Sequence, residues 1–149
     1  MTELLYKALR LAITAHDGQK DKQGKPYILH PLGVWRRLQQ AGHDEHVQIA
    51  GLLHDVIEDT PVTADQLYEQ FSESAALVEI VSRKEEESYD VYIDRVCQSE
   101  ASIAVKLADI EDNLDPERGP IPDSLRAPLR ARYERARRKL RSACADGWI

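Results

Sequence analysis

Residues 44–61 read DEHVQIAGLLHDVIEDTP. Val47, Ile49, Ala50, Leu52, Leu53, Val56 and Ile57 make this stretch apolar on most sides at helical spacing. Such a helix belongs at the centre of a fold. Asp44 suits its N-cap, and Thr60-Pro61 ends it, because the residue before a proline is pushed out of the helical region. His54, Asp55, Glu58 and Asp59 interrupt the apolar pattern with one imidazole and three carboxylates inside six residues. The pairs 54/58, 55/58 and 55/59 are three or four apart, so they share a helix surface. Burying these groups unpaired is costly. A bound cation would offset that cost.

Working outward, helical periodicity continues almost throughout. Leu4, Leu5, Ala8, Leu9, Ala12 and Ile13 predict a helix capped by Thr2 and running to about His16. Residues 17–29 hold Gly18, Gly24, Pro26 and several lysines, which is loop chemistry. Pro31 predicts the first position of a helix that runs to about Gln40. Beyond the central helix, Thr63 and Gln66 form a capping-box pattern that opens a short helix. A separate helix is expected over Ser74–Ser82. Further helices are expected from Ser88 to about Gln98, over Ala101–Leu114, and from about Ser124 to Ala145. No alternating β-branched run occurs, so the fold class is all-α.

The 149 residues suit a single domain, 1–149. Apolar residues at 42% and charged residues at 31% describe a globular chain rather than a disordered one. No apolar run is long enough for a membrane span, and the N-terminus lacks signal-peptide character. Cys97 and Cys144 form no CxxC, which disfavours a disulfide scaffold or a cysteine zinc site. That usage fits a reducing cytoplasm.

The net charge of −6 is uneven. Arg126, Arg130, Arg132, Arg135, Arg137, Arg138, Lys139 and Arg141 stand against Glu134 alone. Without them, 12 basic residues face 25 acidic ones. An acidic body repels nucleic-acid backbone. The basic stretch reads as the solvent face of a terminal helix paired with that body, so nucleic acid is a disfavoured partner. Oligomeric state stays open.

Four features occur in a telling order: the polar loop between His16 and Tyr27; His30 at a loop–helix junction; His54-Asp55 with Glu58-Asp59; and Lys106-Leu107-Ala108-Asp109 followed by Asn113. The chain resembles the HD-domain phosphohydrolases, in particular the RelA/SpoT-type alarmone hydrolases. The residues that carry the resemblance are HDGQ at 16–19, GKPYILHP at 24–31, LHDVIEDT at 53–60, and VKLAD at 105–109 with Asn113, covering about residues 5–115.

The resemblance implies an HD-domain helical bundle. It implies that His30, His54, Asp55 and Asp109 ligate one divalent metal, most often Mn2+. Glu58 and Asp59 would position and deprotonate the attacking water. Lys20, Lys22, Lys106 and Asn113 would contact substrate or the ligand shell. The implied reaction removes pyrophosphate or phosphate from the 3′ side of a nucleotide of the (p)ppGpp or (p)ppApp class. With the chain ending after this region, degradation without synthesis is expected.

Two positions depart from the family pattern. Asp21 stands where an arginine usually stacks on the base, and Ile110 follows the metal aspartate where a basic residue is usual. Both suggest a substrate mouth poorer in positive charge. They leave open NADPH or another phosphate ester as substrate, or a nucleotide-binding regulatory module without turnover.

Overall fold

A computed structural model describes residues 1–118 and 123–144, with side chains left aside for 123–125. Eight α-helices follow in order among these residues: α1 (Glu3–Ala15), α2 (Leu29–Gln40), α3 (Glu45–Leu53), α4 (Val56–Asp59), α5 (Ala64–Val81), α6 (Tyr89–Val96), α7 (Glu100–Asn113) and α8 (Asp123–Ala143). A 3-10 turn at Pro116–Arg118 precedes α8. The described residues contain no strand, only an isolated bridge between Lys20 and Pro26 in the polar loop. The all-α expectation holds.

Capping follows the sequence closely. Thr2, Thr63, Ser88 and Ser99 each accept a hydrogen bond from the backbone N–H three residues on, and Gln66 completes the capping box with Thr63. Helix α2 starts two residues earlier than expected. Pro31 is still tolerated there, because first-turn N–H groups have no helical partner to lose. Sequence periodicity suggested separate helices before and after residue 74. Helix α5 is two helical segments meeting at a kink at Phe71 (φ −137°, ψ 43°), so the break exists and falls slightly earlier in the chain than expected. Ser74 is buried, and its hydroxyl donates to the His46 carbonyl, fastening α5 to α3. The last helix ends at Ala143; its expected end at Ala145 lies outside the described residues.

Helix α3 packs against α1, α2, α5 and α7, so it is central, as its all-round apolar character required. Its core includes Leu5, Val34, Leu38, Ile49, Leu52, Leu53, Phe71, Val78 and Val105. A second core forms where α6 and α8 cover the far side of α7: Tyr92, Ile93, Val96, Ile103, Leu107, Ile110, Ala136, Leu140 and Cys144. Helix α7 is shared by both cores and is buried almost continuously from Ser102 to Ile110.

The basic face of α8 pairs with the acidic body. Arg135 reaches Asp90, Lys139 reaches Asp94, and Arg141 lies 2.9 Å from Glu111. No helix among the described residues is long and apolar enough to cross a membrane.

Candidate metal centre

The single helix expected between its Asp44 cap and Thr60-Pro61 is broken between α3 and α4 at His54-Asp55. In an unbroken helix the Asp55 N–H would bond to the Gly51 carbonyl. Here the His54 ring uses that carbonyl, its Nδ1–H donating over 2.7 Å. The interruption lets neighbours that would diverge by about 100° on a helix face one point. It also fixes the His54 tautomer: with Nδ1 committed to a carbonyl, Nε2 is the free ring nitrogen.

His30, on α2, is oriented in the same manner. Its Nδ1–H donates to Asp112 Oδ2 over 2.7 Å, turning Nε2 inward. His30 Nε2 and His54 Nε2 then lie 3.2 Å apart. Asp109 Oδ1, from α7, is 3.0 Å from the first and 3.4 Å from the second. Asp55 Oδ2 is 3.1 Å from His54 Nε2 and 3.7 Å from His30 Nε2. His30, His54 and Asp109 are buried. The structure therefore brings together all four residues singled out as metal ligands.

Both imidazoles spend their other nitrogen as donor, so four electron-pair acceptors converge on one small volume. Such an arrangement demands positive charge at its centre, either protons or a metal. Donors bound about 2.1 Å from one ion stand about 3.0–3.4 Å from one another, and the observed spacings lie in or near that range. Two imidazoles and two carboxylates are a mixed, borderline-to-hard set suited to a divalent metal. The outer partners, Gly51 carbonyl and Asp112 carboxylate, orient metal-binding histidines in the way such sites require.

Without a metal, protons carry that charge. Burial opposes charging of both imidazoles. Asp55 and Asp109 outweigh it at His54, and Asp109 with Asp112 outweighs it at His30, so both are raised. Burial works equally against the carboxylates, but the imidazoles bring Asp55 down to about 2, and Lys106 with the imidazoles holds Asp109 well below the usual range. Metal binding at this set therefore releases protons.

Lys106 and Asn113, expected at substrate or the ligand shell, both bond Asp109: Nζ to Oδ2 at 2.6 Å, and Nδ2 to Oδ1 at 3.1 Å. Glu58 and Asp59 sit on α4 beside Asp55, and the three carboxylates can approach a common point. Burial, reinforced by Asp55, raises both Glu58 and Asp59 above ordinary carboxylates. The Arg83 backbone N–H donates to Glu58, and Gln19 holds the Asp59 carbonyl over 2.8 Å. Lys20 and Lys22 line a neighbouring cavity of about 230 Å³ with Tyr27, Asn113, Arg118 and Tyr133.

The two departures from the family pattern also have roles within the fold. Asp21 lines the same cavity as Lys20 and Lys22, and its carboxylate is engaged by its own loop and by Arg118. Its Oδ1 accepts from the Gln23 and Lys25 N–H groups, and its Oδ2 lies 3.4 Å from Arg118. Ile110 is fully buried in the second core. It lies about 100° around α7 from Asp109.

Sequence reading missed Asp112, Gly33 and the Tyr27 hydroxyl. Asp112 is three residues after Asp109, a spacing that places both on one helix face. That was the available signal. Gly33 has none in sequence: a Cβ there would overlap the Asp112 carboxylate, so only glycine lets α2 approach α7 closely enough for the His30–Asp112 bond. Tyr27 donates its hydroxyl to Asp55 Oδ2, which also faces the two imidazoles.

Residues 8–109 match the HD-domain family model. The chain belongs to the HD-domain family. An HD domain implies a divalent metal, in keeping with the His/Asp donor set. Among similar proteins, the guanosine-3′,5′-bis(diphosphate) 3′-pyrophosphohydrolase of Aquifex aeolicus is 37% identical over 121 residues, covering 75% of this chain and 17% of that protein. The bifunctional (p)ppGpp synthase/hydrolase SpoT of Escherichia coli is 37% identical over 122 residues, covering 74% and 17%. This HD-domain chain thus spans about a sixth of the length of these relatives. A solved structure described as a metazoan ortholog of SpoT that hydrolyses ppGpp superimposes with a TM-score of 0.80 at 25% identity, over 97% of this chain and 87% of that one.

Proposed function

We propose that residues 1–149 form one domain acting as a metal-dependent phosphohydrolase. It removes pyrophosphate from the 3′ side of a nucleotide of the guanosine-3′,5′-bis(diphosphate) class. The observation that carries this reading is the convergence of four acceptors from α2, α3–α4 and α7, with two carboxylates of raised pKa one helical turn away. Similarity to the hydrolase-bearing relatives supplies the substrate class.

In this reading His30, His54, Asp55 and Asp109 hold one Mn2+. When bound, the ion supplies Lewis acidity toward a phosphoryl oxygen and a more acidic water. Asp59 and Glu58 orient the attacking water and accept its proton. Their raised pKa brings them nearer the operating pH, where a general base is more effective. Lys106 and Asn113 hold Asp109 in place rather than spending their donors first on substrate. Lys20 and Lys22, on the cavity wall, meet phosphate oxygens at the nucleoside end. The free Cys97 and Cys144 accord with a cytoplasmic setting.

The test is a panel of nucleotides phosphorylated at the 3′, 2′ and 5′ positions, NADPH among them, incubated with Mn2+ and separated by chromatography. Release of pyrophosphate from a 3′-diphosphate, with about one metal ion per chain, is expected. Release of phosphate from NADPH alone, or binding with no product, would overturn the substrate assignment.

A further inference from the structure

Tyr89 is ringed by cations. The guanidinium carbon of Arg132 lies 4.2 Å from its ring centroid, that of Arg83 lies 5.6 Å away, and Lys106 Nζ lies 5.9 Å away. Lys106 is neutralised by Asp109. Arg83 spends its Nε on the Glu87 carbonyl. Arg132, like Arg137 and Arg138 on α8, has no carboxylate partner among the described residues. Arg130, Arg135, Lys139 and Arg141 each face a carboxylate. The Arg132 guanidinium lies against aromatic rings, with Tyr133 at 5.7 Å as the second, and its Nε is buried without a hydrogen-bond partner. The Tyr89 hydroxyl beside it is likewise buried and unpartnered.

With Lys106 neutralised by Asp109, the two guanidiniums of Arg132 and Arg83 share one ring as like charges, and cation–π attraction compensates them weakly. The cluster is tied to the metal centre on two sides. Lys106 bonds the outer oxygen of Asp109, whose inner oxygen faces the imidazoles. The Arg83 backbone holds Glu58. A planar guanidinium with unused donors is suited to phosphate oxygens.

Resting on the functional reading above, we infer that Arg132 and Arg83, around Tyr89, form an anion subsite for the distal phosphate of the substrate's 3′-diphosphate. A phosphoryl group at the centre lies on the imidazole side of Asp109. The cluster lies past Lys106, toward α6 and α8, where the second phosphate of a diphosphate extends. The nucleoside end is left to the cavity lined by Lys20, Tyr27, Asn113 and Tyr133. The subsite makes the chain prefer a 3′-diphosphate over a 3′-monophosphate.

The experiment compares wild type, Arg132→Gln and Arg132→Lys on one nucleoside carrying either a 3′-diphosphate or a 3′-monophosphate. Inhibition by inorganic pyrophosphate and by inorganic phosphate is measured in parallel, with melting temperature as the fold control. Losing the charged contact in Arg132→Gln should raise KM for the diphosphate, and the inhibition constant of pyrophosphate, by about tenfold. The maximal rate, the monophosphate KM and phosphate inhibition should stay put, and Arg132→Lys should recover part of the loss. Equal changes on both substrates, or unchanged pyrophosphate inhibition in a folded variant, would overturn the subsite. If wild type cleaves neither substrate, the functional reading fails. Calorimetric binding of pyrophosphate with Mn2+, weakened or unchanged in Arg132→Gln, then still decides the subsite.

Discussion

Two walls of the site handle charge in opposite ways. On the α2–α3–α7 wall, His30, His54, Asp55 and Asp109 aim electron pairs at one point. The outer atoms of His30, His54 and Asp109 are committed to Asp112, Gly51 and Lys106, while Tyr27 and Asn113 donate to the inner oxygens of Asp55 and Asp109. The α5–α6 corner is closed upon itself. Arg95 donates to Glu87 and to the carbonyls of Glu79, Ile80 and Ser82 at the end of α5. Charge at this corner is spent on a helix terminus and a loop, which is structural use. On the first wall Lys106 neutralises part of the charge of Asp109, yet two carboxylates and two imidazole nitrogens still converge on one point, which is an arrangement for something that arrives. Glu58 links the two, lying on α4 while accepting from the backbone of the closed corner.

Variants on the two walls should separate metal binding from stability. The largest effect is expected for Asp109→Ala. It removes a metal donor and leaves Lys106, only 8% exposed, without its counter-charge. Breaking a buried pair in this way costs about 3–5 kcal/mol. Metal content by elemental analysis should fall to background, and turnover with it. Retained stoichiometric metal would contradict the ligand assignment.

Next is Asp112→Ala, which frees His30 without touching the donor set. Loss of such an outer partner weakens metal affinity by about 10–100-fold. Gly33→Ala should mimic it by displacing the same carboxylate, and competition with a chelator reads both. Unchanged affinity in both variants would make the His30–Asp112 bond incidental.

On the closed corner, Arg95→Ala should lower stability by about 2 kcal/mol through lost charged hydrogen bonds while metal affinity is preserved. A lost metal site in a folded Arg95→Ala would erase the distinction between the walls.

The smallest effect belongs to Glu87→Gln and has a pH signature. Hydrogen bonds from Arg95 hold the Glu87 carboxyl down to about 2. In the unfolded chain it titrates near about 4.3. A depressed carboxylate stabilises the fold above the unfolded value and loses that contribution as pH falls through the folded one. Denaturant unfolding should show wild type ahead by about 1 kcal/mol at neutral pH, discounted for solvent screening. The gap should shrink below about pH 4.3 and close near pH 2. A gap independent of pH would assign the effect to packing instead.

Much of the centre was legible because its chemistry is written in local strings. His54-Asp55, Lys106-x-x-Asp109 and His30-Pro31 each place a donor at a fixed offset from a helix, and apolar periodicity located the helices. The break between α3 and α4 was not legible. It arises from a ring nitrogen competing for a carbonyl, while the apolar residues on both sides continue the helical pattern. What Asp21 and Ile110 do within the fold was not legible for a related reason. Sequence gives the type of a side chain, and its direction depends on partners such as Arg118, 97 residues away.

Composition and period alone determined the all-helical class, the central position of α3 and the set of possible donors, since these depend on local backbone preference and on which faces must leave water. Only the tertiary structure decided which nitrogen of each histidine faces inward, that Gly33 must lack a Cβ, and that Arg132 is the basic residue of its helix left among aromatic rings. Those outcomes depend on distances between segments far apart in the chain, and interhelical packing sets them where no local rule reaches.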